Sequence, residues 1–192
     1  MERELILTGV GGQGVQLAAQ VLARAAVLEG REVMLLGTYG GTMRGGNTDS
    51  TLVVADAPIS APPIVSRVWC AVAMHHHFFE PARAKLRPGS VVVVNRPVFS
   101  AELDRDLHRV FEVPATALAT ELGQPLSAAM VLVAATARIT GLVGLEALVA
   151  GMRESVPPYR RQHLEANEKA LRAGFASAPP GLAPAWLASE AA

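Results

Sequence analysis

Apolar positions along the chain follow two periods. Short continuous runs at residues 5–7, 32–36, 51–55, 69–74, 91–94 and 110–113 read as β-strands. Between the first two lies a helical pattern, residues 15–29, with Leu17, Ala18, Val21, Leu22, Ala25 and Leu28 on its buried side. Gly30 stands where a left-handed C-terminal cap belongs. A short helix is expected over residues 81–86, then a turn at Pro88-Gly89. The run at 91–94 is valine throughout, as in a parallel strand covered on both faces. From Ser127 the pattern turns helical, over residues 127–138, 145–153 and 159–173. The order predicts an α/β fold, a single Rossmann-like, doubly wound, mostly parallel sheet with helices on both faces and a helical C-terminal part. One domain spans residues 1–175, and a Pro/Ala-rich tail, 176–192, is expected to be loosely ordered or to wrap a partner.

Composition narrows the function classes. The 17 basic and 17 acidic residues of the 192 cancel, so no charge footprint points to nucleic acid or an anionic membrane. One cysteine, Cys70, excludes an internal disulfide framework and any iron–sulfur or zinc cluster held by cysteines of this chain. It falls in an apolar strand, which reads as a buried, inert thiol. The longest apolar stretch, residues 128–148, is broken by Arg138, Gly141, Gly144 and Glu146, so buried helices are expected and no membrane span. The start of the chain lacks the basic-then-apolar layout of a signal peptide, and a cytoplasmic location is expected.

The chemistry gathers in two glycine-rich stretches. Gly9, Gly11 and Gly14 form GxGxxG between a strand and a helix, with Gly12 as an extra glycine. In that order the first glycine permits the turn, the second lets a ligand approach the backbone and the third lets helix and strand pack closely. The helix N-terminus then offers N–H groups to a diphosphate; the alternative is a tight strand–helix turn that binds nothing. A dinucleotide is disfavoured, because the second strand ends Leu35-Leu36-Gly37-Thr38 and its one acid, Glu32, lies at the wrong end. The second stretch, residues 38–47, holds four glycines and one cation, Arg44. Arg44 is open to three roles: holding a phosphate or carboxylate bidentately, docking a subunit, or standing as a solvated charge. The triplet His75, His76 and His77 follows the strand at 69–74; alternate side chains of a strand point to opposite faces, so a structural or interface role is expected rather than a metal site. Ser50, Asp106 and His108 lack the context of a nucleophile, and no catalytic side chain is expected.

Read together, these stretches resemble the gamma subunits of the 2-oxoacid:acceptor (ferredoxin) oxidoreductases. Gly9-Val10-Gly11-Gly12-Gln13-Gly14-Val15 is similar to their opening motif, and Tyr39-Gly40 with Met43-Arg44-Gly45-Gly46 to their YGxxMRGG. Asp56-Ala57-Pro58-Ile59, Leu86-Arg87-Pro88-Gly89, Asn95 at the end of an all-apolar strand, and Asn167 with Ala170 and Gly174 extend the likeness over residues 4–175. The histidine triplet departs from it. The resemblance implies a subunit of an enzyme that oxidatively decarboxylates a 2-oxoacid to an acyl-CoA and passes electrons to ferredoxin. It implies alpha and beta subunits holding thiamine diphosphate with magnesium, a delta subunit with iron–sulfur clusters, and coenzyme A at this chain. The cofactor-binding residues would be Gly9, Gly11, Gly12, Gln13, Gly14, Val15, Arg44, Gly45 and Gly46. The competing expectation is a free-standing nucleotide- or CoA-binding regulatory module.

Overall fold

A computed structural model of the chain describes residues 1–41, 45–60 and 62–186. In chain order the elements are β1 (Glu2–Val10), α1 (Val15–Leu28), β2 (Glu32–Tyr39), β3 (Asn47–Ala55), β4 (Val68–Ala73) and α2 (Glu80–Arg83). There follow β5 (Leu86–Asn95), β6 (Arg109–Val113), α3 (Ala115–Glu121), α4 (Ala128–Thr140), α5 (Leu145–Ser155) and α6 (Leu164–Ser177). The six strands form one sheet in the order β2-β3-β1-β4-β5-β6. Strands β1, β4, β5 and β6 are parallel, and β3 runs antiparallel to both of its neighbours, β1 and β2.

Period-two alternation in the strands divides the core. Leu5, Leu7, Val72 and Val93 face the large helical layer of α1, α3, α4, α5 and α6. Ile6, Ala71, Ala73, Val92 and Val94 face the other way, onto Phe79 and Ala82 around α2 and onto Phe99 and Leu103. Helices thus cover both faces of a mostly parallel α/β sheet, but one layer is thick and the other a single four-residue helix with loops. The fully apolar valines of β5 are explained by burial on both sides.

α1 ends as its sequence predicts. Gly30 takes φ +77°, its N–H donates to Val27 O (2.9 Å), and the N–H of Arg31 donates to Ala26 O (3.0 Å), the paired bonds of a Schellman cap. Leu28, expected on the buried side, is 46% exposed at that end.

Three elements differ from expectation. β3 starts four residues earlier than its apolar run, at Asn47, and is antiparallel to β1 and β2. Pro88 and Gly89 lie inside β5, where a register shift between the Val68/Leu86 and Cys70/Val91 pairs absorbs them as a bulge, Gly89 at φ +80°. α3 had no apolar pattern to announce it. The tail from 178 to 186 packs on the body rather than lying loose: Ala183 and Ala185 are buried, their N–H groups donate to Ile139 O (3.0 Å) and Thr140 O (2.7 Å), and the Trp186 indole N–H donates to Leu142 O (3.1 Å).

Candidate functional site

The antiparallel course of β3 builds the site. The β2–β3 hairpin returns the second glycine stretch alongside the end of β1, so two motifs some thirty residues apart become one ladder. Val10 pairs with Asn47, the N–H of Gly11 donates to Gly46 O (2.8 Å), and the N–H of Gly45 donates to Gly11 O (3.1 Å). Gly9, Gly11, Gly12, Gln13, Gly14, Val15, Gly45 and Gly46 are therefore brought together; Arg44 lies outside the described residues.

Within the loop the glycines divide their work otherwise than the motif suggests. The first, Gly9, serves close packing: a Cβ there would stand 2.9 Å from Val15 Cγ2 and 3.0 Å from Met74 Cβ. The turn belongs to Gly12 (φ +105°) and Gly14 (φ +79°), a region that side chains enter at a cost. Gln13 closes the loop on itself, its N–H donating to Val10 O (3.0 Å) and its Oε1 accepting from the Val10 N–H (2.8 Å). A Cβ at Gly12 or Gly45 would meet nothing within 4 Å, so open space adjoins both. Gly14 is the N-cap of α1; the helix has no side-chain cap bond and no acid in its first turn. An uncapped N-terminus with room beside it fits a phosphate group.

Residues outside the two glycine stretches brace their surroundings. Gln16, in the first turn of α1, donates through Nε2 to Asp49 O (2.7 Å) and Thr38 O (3.2 Å) and accepts from Ser50 Oγ (2.9 Å). Gly37 leaves it room, since a Cβ there would lie 2.2 Å from Gln16 Oε1. Ser50 is thus a tether, not a nucleophile. On the far side Asn95, fully buried, donates to Met74 O (3.3 Å) and Thr116 Oγ1 (2.8 Å) and accepts from the Thr116 N–H (3.0 Å), capping α3 from across the sheet.

Strand order also disfavours a dinucleotide. Because β3 is inserted between β1 and β2, the tip of β2 stands two strand spacings, about 10 Å, from the glycine strand instead of one. The position from which an acid would reach an adenosine ribose is displaced.

The histidine triplet lies beyond the end of β4, in a turn, so the alternation argument made from a strand does not apply to it. The rings cluster instead, His75 tilted over His76 at 4.4 Å and edge-to-face with His77 at 6.3 Å between centroids. Among the described residues no three His, Cys, Asp or Glu side chains are grouped as metal ligands. Burial first, then the two neighbouring imidazoles, hold His75 below the usual histidine range. Cys70 is fully buried, and desolvation pushes its thiol up, as for an inert core cysteine. Among the described residues, no helix is long and apolar enough to cross a membrane.

A glycine loop at the carboxyl edge, where the strand order reverses between β1 and β4, defines a Rossmann-like α/β domain. The pattern of the family described as pyruvate ferredoxin/flavodoxin oxidoreductase matches residues 4–177. This chain belongs to that family, and within it to the gamma-subunit type. It is 33% identical over 181 residues to the 2-oxoglutarate synthase subunit KorC of Methanothermobacter thermautotrophicus, covering 91% of this chain and 94% of that one. The keto/oxoacid ferredoxin oxidoreductase gamma subunit of Geobacter sulfurreducens superposes with a TM-score of 0.76 at 25% identity, over 92% of this chain and 98% of that one. The fold also recurs, at TM-score 0.80 and 19% identity, in a third of the longer chain of the 2-oxoglutarate:ferredoxin oxidoreductase of Magnetococcus marinus, whose structure holds 2-oxoglutarate, coenzyme A and succinyl-CoA; the match covers 95% of this chain and 33% of that one.

Proposed function

We propose that this chain is the gamma subunit of a multi-subunit, thiamine-diphosphate-dependent 2-oxoacid:ferredoxin oxidoreductase, and that its own task is to hold coenzyme A. The observation that carries this reading is the joining of the two glycine motifs beside an uncapped helix N-terminus, Gly11 bonded to both Gly45 and Gly46. The diphosphate of coenzyme A would rest on Gly9, Gly11, Gly12, Gln13, Gly14 and Val15, with Gly45 and Gly46 forming the adjoining wall and Arg44 supplying a cation. Coenzyme A, when bound, brings the thiol that accepts the acyl group. The work of this chain is to fix where that thiol stands and to exclude competing poses; acid–base and nucleophilic steps are assigned to none of its side chains.

In this reading alpha and beta subunits carry thiamine diphosphate with magnesium, and a delta subunit carries the iron–sulfur clusters. One buried cysteine here is in keeping with clusters held elsewhere. The complex would be cytoplasmic. Likeness to KorC chains makes 2-oxoglutarate the first substrate to test, ahead of branched-chain and aryl 2-oxoacids.

The test is to co-express the chain with its genomic neighbours, purify through a tag on it, and assay coenzyme A-dependent viologen reduction with a panel of 2-oxoacids. Turnover is expected. Gly12→Asp should raise the coenzyme A KM by about tenfold or more, whereas Gly12→Ala, strained at the same φ but uncharged, should raise it clearly less. A chain that emerges alone, with no turnover on any 2-oxoacid, would replace this reading with a free-standing nucleotide-binding module.

A further inference from the structure

Building on the coenzyme A reading, we propose that His75, His76 and His77 form the second wall of the glycine-loop crevice and grip the ligand's diphosphate by taking up a proton as it binds. The topology places them there. The chain leaves β1 through the glycine loop toward α1 on one face, and leaves β4 through the triplet toward α2 on the other. Diverging connections open the crevice that α/β sheets use for ligands. The two lips are held together: the N–H of Met74 donates to Thr8 O (2.9 Å), and Thr8 Oγ1 lies 3.4 Å from Phe78 O.

The ring nitrogens are set by local partners. His75 Nδ1 accepts from the backbone N–H of His77 (3.0 Å), which leaves its proton on Nε2. His76 Nδ1 lies 3.0 Å from Val98 O and 3.2 Å from Ser100 Oγ; facing a carbonyl it carries the proton, and its Nε2 keeps a lone pair. His77 is exposed.

Among the described residues, no carboxylate is bonded to these rings. β1 and the glycine loop present Thr8 and residues 9–15, none of them charged. The segment after β5 presents the Val98 carbonyl and Ser100. Glu80, at the start of α2, is paired with Arg83 (3.7 Å). The charges acting on His75 are the other two imidazoles, and they oppose its protonation. These clustered imidazoles therefore lack a counter-ion, which a diphosphate would supply. The sign follows: the free protein favours neutral His75, the bound anion favours imidazolium, so binding takes up a proton and tightens as pH falls.

Calorimetry on the full chain with dephospho-coenzyme A tests this. That probe carries only the diphosphate and stays fully ionised, whereas the phosphomonoester of coenzyme A titrates near pH 6 by itself. Titrations in two buffers of different ionisation heat should show uptake of a few tenths of a proton per ligand near pH 7. Affinity should be about three- to tenfold tighter near pH 6 than near pH 8. The double variant His75→Asn/His77→Asn should lose both effects without loss of Tm, since Asn Oδ1 stands where His75 Nδ1 accepts. His77→Asn alone, at an exposed ring, should already reduce them. Binding that is flat with pH, or proton uptake unchanged in the double variant, overturns the proposal and leaves the coenzyme A reading standing. No binding of dephospho-coenzyme A at either pH overturns both.

Discussion

Two side-chain amides, the half-buried Gln16 and the fully buried Asn95, tie together the elements around the glycine loop. Each bonds to groups far off in the chain: Gln16 to β2 and β3, Asn95 to Met74 just past β4 and to the start of α3. Removing one partner of a buried hydrogen bond leaves the other desolvated and unpaired, at roughly 1–3 kcal/mol for each such group. Asn95→Ala strands the Thr116 N–H and Met74 O together, so a loss of about 3 kcal/mol is expected, read as a lower urea midpoint at unchanged m-value. Gln16 stands outside every motif, and the likeness that includes Asn95 does not reveal its duty; a polar residue among apolar ones is the same letter whether it binds a ligand or a strand. The glycine loop, by contrast, was readable because φ above zero and close approach are properties of glycine itself. Even there the letters gave positions but not duties: Gly9 packs, while Gly12 and Gly14 turn.

At the scale of elements, the C-terminal motif proves to be a packing face. Asn167 accepts from Ser127 Oγ (3.0 Å), Ala170 is fully buried, and a Cβ at Gly174 would lie 2.2 Å from Val131 O on α4. α6 thus seats directly on the backbone of α4, whose Ala129 Cβ would lie 3.6 Å from a Cβ built at Gly14. Gly174→Ala should force the two helices apart and cost about 3 kcal/mol, seen as a drop in Tm, with coenzyme A affinity weakened only as far as α4 shifts. The direction of β3 escaped the apolar pattern for a related reason. The extensions that lengthen β2 and β3 are polar, Gly37 and Thr38 on one strand and Asn47, Thr48, Asp49 and Ser50 on the other. Polar residues bonded to Gln16 read as loop in a pattern that scores only burial. With them counted as strand, the connection of residues 40–46 is too short for a parallel crossover, and a hairpin is the remaining choice.

For the molecule as a whole, the stretch after α6 closes the fold. The guanidinium of Arg31 lies 3.9 Å over the Trp186 ring, and Arg3 Nε donates to Ala185 O, so the tail ties α1 and β1 to the end of α4. Ending the chain at Ser177 should expose the apolar surface that Ala178, Ala183 and Ala185 cover and lower Tm by about 5 °C or more, measured by calorimetry. A cut chain of unchanged Tm would mean that this packing contributes nothing. The sequence by itself determined the α/β class, the six strands, α1 with its cap and the two glycine stretches, because burial period and glycine's backbone freedom are local properties. Tertiary structure decided that β3 runs antiparallel, that the two stretches therefore meet at Gly11 and Gly46, and that the histidines cluster in the turn after β4. The first two rest on contacts between residues tens of positions apart, and only the packing of the whole sheet selects them.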